Sequence, residues 1–497
     1  MAGERQNPRE TGPVIGVDEW VGREQELREE RGGLFGRARI LGERIPPVVW
    51  LAVFLAVAAV LPLLMNTGDL NRYGLNTAIF ALLALGLNVA VGWTGLLDLG
   101  YVAFFGFGAY TYALLSSTHC FTETTCGVHW PGWATVPIAV AATALLGFLV
   151  ALPSRRLSGD YLAIVTLFFA QLFLTVAANG DRVSALGLTG GVNLTGGPNG
   201  VPNVDPIEIF FIRPTTVEAY YYFTIAALVL VAAVLWFLIH SRTGRAWTSL
   251  REDALAAELM GMPVNSLKLL AFSIGAAIAG LAGAILAAEQ TGVFPGNFDL
   301  SILITIYAMV ILGGAGSMPG VVLGAIVITV VFEVLSPTTS TDKISLLFYG
   351  VILAALVVKI RPLWRLAFVL GGTVALGYAV HLVAHAVSPS STRGEAVSGG
   401  FLGSVTETLV VIPADPGDWP KYAYVALIVA LLALTRLDGW RRTLLMPPTL
   451  VLTVFVWENL LVLEPAVTRF ILFGALLVVM MAVRPQGLLG KPRVEIV

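Results

Sequence analysis

The sequence has few charged residues. Asp, Glu, Lys and Arg make up 12% of the 497 residues, whereas hydrophobic residues make up 57%. A soluble domain carries about 25% charged residues, so this composition excludes a soluble protein and predicts that most of the chain lies in a lipid bilayer. The net charge of −2 provides no excess of basic residues, and we therefore do not expect nucleic acid as a partner.

The sequence also lacks the motifs of common catalytic and nucleotide-binding sites. It contains no G-x-x-x-x-G-K-[ST] phosphate loop, no H-E-x-x-H zinc motif and no G-x-S-x-G nucleophile motif. We therefore expect no enzymatic activity, cofactor or metal in this chain. If ATP drives the process in which the chain takes part, a separate subunit must bind the ATP and Mg²⁺.

Long apolar runs predict the architecture. A bilayer crossing needs about 20 apolar residues, and such runs recur along the whole chain after residue 45. The candidate spans are 46–65, 74–92, 101–117, 132–152, 161–178, 219–240, 269–289, 300–313, 320–336, 344–360, 366–387, 421–435, 443–463 and 470–483. We predict an all-α, polytopic transmembrane helix bundle with about 10–14 spans.

The basic residues are distributed unevenly between the two sides of the predicted bundle. Alternate threading of the spans places most of the 30 Lys and Arg on the side of the N-terminus. The positive-inside rule then predicts both termini in the cytoplasm. Residues 1–45 are charged and lack a signal-peptide pattern, so we expect a disordered cytoplasmic tail. A short surface helix over 22–39 is the alternative.

The sequence contains only two cysteines, Cys120 and Cys126. The predicted threading places both outside the membrane, where an oxidising environment favours a disulfide that closes a small loop. Free thiols are one alternative. A metal site is another, because His119 and His129 flank the two cysteines.

Glycine and other small residues cluster in three apolar stretches. In the span 269–289, small residues recur every four positions, a spacing that lets helices pack closely in lipid or that lines a moving gate. Glycines in 86–110 and 313–320 predict interrupted helices beside a translocation path. Asp98 either lies on this path or caps a helix. The candidate path or gate residues are Gly92, Asp98, Gly275, Ala279, Gly283, Gly313 and Gly314.

The segment 241–268 is the longest charged interruption between apolar runs. A helix over about 246–261 would place Trp247, Leu250, Ala254, Ala257 and Gly261 on one apolar face. Such a face suits docking into a groove of a soluble protein. The alternative is a helix that lies on the lipid headgroups.

Several stretches together resemble the branched-chain amino acid permease family, specifically the larger of its two membrane subunits. These stretches are LGLNVAVGWTGLLDLGYVAFFGFGAY at 85–110, RLSGDYLAIVTLFFAQ at 156–171, TGGPNGV at 195–201, TGRAWTSLREDALAAELMG at 243–261, LKLLAFSIGAAIAGLAG at 267–283, ILGGAGSMPGVVLGAI at 311–326 and RPQGLLG at 484–490. The similarity covers about residues 85–340 and the C-terminal ending.

The resemblance implies a permease subunit of an ABC importer in the plasma membrane, which is the inner membrane of bacteria. Such a permease works in the bilayer with a second homologous permease, ATP-binding cassette subunits and an external substrate-binding protein. Residues 245–261 would then contact an ATPase subunit, although Leu255 stands where the family pattern E-A-A-x₃-G has Glu. The implied coupling residues are Arg245, Trp247, Leu250, Arg251, Glu252, Asp253, Ala257, Glu258 and Gly261.

The chain departs from the family in its length and predicted organisation. We expect the tail at 1–45, the permease core at 46–342, additional transmembrane helices as an insertion at 343–465, and a C-terminal permease helix and cytoplasmic tail at 466–497. YGVILAALVVKIRP at 349–362 resembles FGALLVVMMAVRP at 473–485. A local duplication could explain this similarity.

The polar loop 179–218 is a candidate docking surface for the external binding protein. Its candidate residues are Thr195, Gly196, Gly197 and Asn199; an ordinary glycine-rich loop is the alternative. For the whole chain we expect import of branched-chain amino acids, with urea, amides or other amino acids as alternative substrates. An ion-coupled secondary transporter and a non-transport scaffold or sensor are the competing functions.

Overall fold

The computed structural model describes residues 47–120, 126–153, 160–181, 192–208, 214–334, 363–388, 400–413, 419–437 and 439–461, with isolated positions between 345 and 490. The predicted tail at 1–45, part of the predicted span 344–360 and most of the predicted span 470–483 lie outside the described residues. The chain divides into two compact units, 1–66 and 67–497. The described part of the first unit contains helix α1, Pro47–Leu64, which is apolar along its length.

Helices form almost all of the described second unit. They are α2 Thr67–Trp93, α3 Tyr101–Leu115, α4 Gly132–Ala151, α5 Asp160–Asn179, α6 Val217–His240, α7 Arg242–Glu252, α8 Ala254–Leu259, α9 Val264–Glu289, α10 Leu300–Gly313, α11 Met318–Val334, α12 Leu363–Val387, α13 Gly400–Leu409, α14 Trp419–Arg436 and α15 Gly439–Val456. Eight helices in the described residues are long and apolar enough to cross a bilayer, and four shorter ones are apolar. The prediction of an all-α polytopic bundle is confirmed.

Helix α9 lies at the centre of the bundle, packed against α2, α3 and α4. Its small residues explain this close packing. A Cβ on Gly275 would lie 3.1 Å from the carbonyl oxygen of Gly86 in α2, and one on Gly283 would clash with the carbonyl oxygen of Phe105 in α3. Ala279 is fully buried between these glycines. The structure therefore places all three predicted gate residues of this span in helix contacts.

Short strands lie at one end of the second unit. We call this end the hairpin end. Strand β1, Ser116–Cys120, pairs antiparallel with β2, Cys126–His129, and β3, Val201–Pro202, pairs antiparallel with β4, Gly292–Val293. Helix α9 runs towards β4, and its opposite end lies next to α7 and α8. We call that opposite side the junction end.

The two cysteines lie opposite each other in the β1–β2 pair. This register brings their backbones together, and the disulfide stays a prediction. The neighbouring histidines have other partners: His119 Nε2 lies 3.0 Å from the carbonyl oxygen of Asn193, and His129 Nδ1 pairs with the carboxylate of Asp205. These contacts argue against the alternative of a His–Cys metal site.

Helices α12 to α15 lie in the region predicted to be an insertion. Helix α12 packs against α13 and α15, and α14 also packs against α15. Helix α13 is short and was not among the predicted spans. A π-helical turn at Trp457–Leu461 follows α15. Val331 of α11 packs against the buried cluster that contains Trp457. The additional helices therefore contact the end of the predicted core.

Candidate coupling site

The charged segment forms two helices, not the single helix predicted over 246–261. Asp253 ends α7 because its backbone is extended, with φ −153° and ψ 108°. Its carboxylate accepts hydrogen bonds from the backbone N–H groups of Leu255 (2.8 Å) and Ala256 (3.0 Å) and so caps α8. Asp favours this N-cap position because its short side chain reaches the unpaired N–H groups of the first turn. The single-helix prediction was wrong at this residue.

Three of the five residues of the predicted apolar docking face are buried, whereas Ala254 and Gly261 are exposed. Trp247 has no exposed surface, and Leu250 and Ala257 are each 4% exposed. The indole Nε1 of Trp247 donates a hydrogen bond of 3.0 Å to the carbonyl oxygen of Leu267 in α9. These three residues therefore hold the segment on the bundle. Their burial leaves these three side chains little surface for a partner or for lipid headgroups, and the coupling role of the segment stays a prediction.

A different apolar patch is exposed on α8 and just after it. Leu255, Leu259 and Met260 are 67%, 79% and 81% exposed. Since single exposed apolar residues are common but clusters mark contact sites, we define these three residues as the α8 patch. An open groove of about 370 Å³ lies beside it; Thr248, Ser249, Glu252, Asp253, Ala256, Ala257, Met260 and Met262 line this groove. The spacing of Leu255 and Leu259 was the sequence signal for the patch.

The remaining predicted coupling residues lie around this patch. Arg245, Glu252 and Glu258 are exposed, so they remain available for the predicted ATPase contact. Gly261 ends α8 with φ +80°. The N–H groups of Gly261 and Met262 bond the carbonyls of Glu258 and Ala257, which is the Schellman pattern that favours glycine in the left-handed conformation.

Arg251 points into the chain rather than towards the exposed groove. Its Nη1 donates a hydrogen bond to the carbonyl oxygen of Gly92 at the end of α2. Beside it, the rings of Trp93 and Trp247 stack with 6.2 Å between centroids. The charged segment 241–268, the candidate coupling segment, is thus joined to the last turn of α2, which is π-helical at Val89–Trp93. This contact of Arg251 lies within the chain and is not the predicted contact with an ATPase.

The two glycine breaks predicted from the sequence meet at this point. Asn88 Oδ1 accepts a hydrogen bond of 2.8 Å from the N–H of Gly316, and Trp93 Nε1 donates one of 3.2 Å to the carbonyl of Gly316. A Cβ on Gly92 would lie 2.6 Å from the Gly316 nitrogen, so only glycine fits. We call Asn88, Gly92, Trp93, Arg251 and Gly316 the glycine junction. The sequence analysis missed Asn88, Trp93 and Gly316; the polar Asn in an apolar run was the available signal.

The chain ending also binds to the break between α10 and α11. The N–H groups of Leu488 and Leu489 donate hydrogen bonds of 2.8 and 3.0 Å to the carbonyls of Leu312 and Gly313. The last carbonyls of a helix have no partner within the helix, so the LLG sequence caps α10. Gly314 adopts φ +109° here and lies against Gly487, which explains why glycine is needed in both segments.

Asp98 lies in the linker between α2 and α3 and is 1% exposed. Its Oδ1 accepts a hydrogen bond of 2.9 Å from the N–H of Gly100, next to the first turn of α3. The capping contact expected from the sequence is therefore present, but it is buried instead of lying at a surface. Tyr307 of α10, which the sequence analysis missed, bonds both the N–H and the carbonyl of Asp98.

Residues 195–200 of the predicted docking loop for a binding protein form a tight turn at the hairpin end. Gly196 and Gly197 have φ of +73° and +60°, and Thr195 accepts a hydrogen bond of 3.3 Å from Gly197. Thr195 and Gly197 are buried, whereas Asn199 is exposed. Of the candidate residues, the buried pair shapes the turn, and Asn199 at its tip is available to a partner.

Comparisons with known proteins agree with this architecture. The family described as "Branched-chain amino acid transport system / permease component" matches residues 72–357. The high-affinity branched-chain amino acid transport system permease protein LivM of Escherichia coli K12 is 34% identical over 62% of this chain and 73% of its own length. No solved structure matches the chain.

Two further relatives extend the comparison. The probable branched-chain amino acid transport permease protein LivM of Methanocaldococcus jannaschii is 25% identical over 66% of this chain and 88% of its own length. The permease protein LivH of Escherichia coli K12 is 24% identical over 56% and 89%. With its long apolar helices, the chain is a multi-pass inner-membrane protein. It belongs to the branched-chain amino acid transport permease family, as a permease subunit of the larger, LivM type in an ABC importer.

Proposed function

We propose that this chain imports branched-chain amino acids into the cytoplasm. Separate ATPase subunits bind ATP and Mg²⁺ and hydrolyse the ATP, and an external binding protein delivers the substrate. The names of the LivM relatives support this substrate class. The relatives named LivM and LivH in one organism support a pair of related but different permeases.

The junction end faces the cytoplasm in this proposal. Arg242, Arg245 and Arg251 belong to α7 at this end, and basic residues favour the cytoplasmic side of a membrane protein. The hairpin end, with the exposed Asn199, then faces the binding protein. Both chain termini lie in the cytoplasm in this orientation.

The two halves of the coupling segment have different tasks. The exposed α8 patch receives the ATPase subunit, because a cluster of apolar side chains gains free energy when a partner covers it. Helix α7 passes the resulting displacement to the glycine junction. The hydrogen bond from Arg251 to Gly92 is the observation that carries this proposal, since it joins the coupling segment to an interrupted membrane helix.

Reconstitution of the complete transporter tests the proposed function. We expect proteoliposomes that contain both permeases and the ATPase subunits to accumulate leucine when the binding protein and ATP are present. An ATPase subunit without its phosphate-loop lysine is the control and should abolish uptake. Uptake that an ion gradient drives without ATP would contradict the proposal, as would uptake of urea or amides with no uptake of leucine, isoleucine or valine.

A further inference from the structure

Asp98 is a buried acidic residue that has no role in the proposed coupling through α8, α7 and the glycine junction. Its side chain is 1% exposed, and none of the ion pairs among the described residues includes it. An ionised carboxylate that is removed from water needs a compensating partner. In membrane proteins such groups commonly mark the route of a substrate or an ion.

The backbone around Asp98 is fixed from several sides. The hydroxyl of Tyr307 accepts a hydrogen bond from the N–H of Asp98 (2.9 Å) and donates one to its carbonyl (2.7 Å). The next residue, Leu99, donates its N–H to Thr166 Oγ1 of α5 at 2.9 Å. The N–H of Gly100 bonds Oδ1, so the side chain is held as well as the backbone. It is held in place before any ligand arrives.

A second buried polar group lies three residues further along the chain, in the first turn of α3. Tyr101 is 1% exposed, and its hydroxyl donates to no acceptor among the described residues. The hydroxyl lies against Gly86 of α2, where α2 approaches α9. A buried donor without an acceptor is unfavourable for folding alone, so a further partner in the transport cycle would explain why it is retained.

We propose that Asp98 and Tyr101 form a subsite that binds the main chain of an amino acid during its passage. Asp98 binds the α-ammonium group, and the hydroxyl of Tyr101 donates a hydrogen bond to the substrate carboxylate. This inference rests on the proposed function and names the feature of the substrate that the permease itself recognises. The ligand class is an α-amino acid with a free ammonium group, whatever its apolar side chain.

The position of the pair supports this assignment. Asp98 follows the last turn of α2, in which Gly92 contacts Arg251 of the coupling segment. A displacement of the glycine junction therefore moves the start of the linker between α2 and α3, and this linker carries Asp98. The subsite lies where movement of the coupling segment can expose it, and a charge there compensates the substrate ammonium as it loses water.

Asp98→Asn in the reconstituted transporter is the principal test. The amide keeps an oxygen for the Gly100 N–H but removes the charge. We expect the initial rate of leucine uptake to fall about tenfold or more, while assembly, thermal stability and ATP hydrolysis stimulated by the binding protein are retained. The control is Asp299→Asn, because exposed Asp299 also accepts helix N–H groups, from Ser301 and Ile302. It should leave uptake within about twofold.

Tyr101→Phe provides a second test that removes only one oxygen atom. We expect uptake to fall several-fold with no loss of thermal stability. Tyr110→Phe is the matched control, because the Tyr110 hydroxyl is also buried without a partner among the described residues. The Tyr110 ring packs against Phe173 and Phe298 and is not part of the subsite. Equal losses in both variants would contradict the subsite.

The outcomes separate this inference from the proposed function. A wild-type transporter that imports no branched-chain amino acid counts against the proposed function. Normal import by the wild type and by Asp98→Asn overturns the subsite alone, because an uncharged side chain then suffices. Loss of assembly and of stimulated ATP hydrolysis in Asp98→Asn, with normal uptake by Tyr101→Phe, also overturns it and leaves Asp98 as a structural cap.

Discussion

Helices α7 and α8 are adjacent in sequence but differ in what their apolar residues contact. In α7, Trp247 and Leu250 are buried against the bundle. In α8, Leu255 and Leu259 are exposed. Asp253 separates the two helices by capping the second one. One charged segment thus contains an inward half that is fixed to the membrane core and an outward half that is free to bind.

This difference shows that the charged and aromatic residues of the segment contact two different surroundings instead of one. A single amphipathic helix would have one apolar face for one partner. The turn at Asp253 instead provides two faces, and the inward one includes Arg251, whose guanidinium bonds the end of α2. A force on α8 can therefore reach the membrane helices without a flexible linker between them.

Trp247→Ala should have the largest effect, because it removes the anchor of the inward half. Loss of a buried tryptophan costs about 3–5 kcal/mol, and the change also removes the hydrogen bond to Leu267. We expect a strong fall in the melting temperature and in the yield of assembled complex. Trp236→Ala on α6 is the control, since Trp236 is 47% exposed. Equal stability of both variants would refute the anchor.

Arg251→Met should separate ATP hydrolysis from transport. The methionine keeps a long apolar side chain but cannot donate to Gly92, so the link between α7 and α2 is lost. We expect leucine uptake per ATP hydrolysed to fall about tenfold, the scale of one charge-assisted hydrogen bond. Arg242→Met is the control, because Arg242 is an exposed arginine of the same helix and is not among the implied coupling residues. Retained coupling in Arg251→Met would show that the displacement follows another route.

The double change Leu255→Ala and Leu259→Ala should weaken only the outward half. These side chains are 67% and 79% exposed, so their loss should leave the melting temperature of the permease unchanged. Their burial by a partner is worth about 1.5–3 kcal/mol each, and we expect several-fold less ATPase subunit to co-purify. Glu258→Gln tests the neighbouring charge and should have a smaller effect. Undiminished co-purification would exclude the α8 patch as the docking site.

The sequence predicted the bundle more securely than the site. Long apolar runs determine helices in lipid, and the four-residue spacing from Gly275 to Gly283 identified the close packing of α9. The two glycine breaks were also visible. Their meeting through Asn88 and Gly316 was not, because 228 residues separate these two positions. Local patterns do not report which distant backbone groups become partners.

The same limit explains the error at Asp253. Helical periodicity continues through 246–261, so the apolar pattern favours one helix. The structure breaks the helix where a capping aspartate competes with continued helix. Capping residues could have suggested this break, but the inward burial of Trp247 depends on Leu267 and Trp93, which only the fold brings together.

Two glycine substitutions, one at the end of α8 and one at the glycine junction that α7 contacts, should have the smallest effects. Gly261 and Gly316 both have positive φ, +80° and +94°, and a left-handed conformation costs an alanine about 1–2 kcal/mol. A Cβ on Gly261 would meet no atom within 4 Å, whereas one on Gly316 would lie 2.7 Å from Arg251 Nη1. Gly261→Ala should therefore lower stability slightly and leave coupling intact. Gly316→Ala should lower stability further and also reduce uptake per ATP hydrolysed. Identical effects of the two substitutions on stability and uptake would mean that backbone strain alone, and not contact with Arg251, makes glycine necessary at the junction.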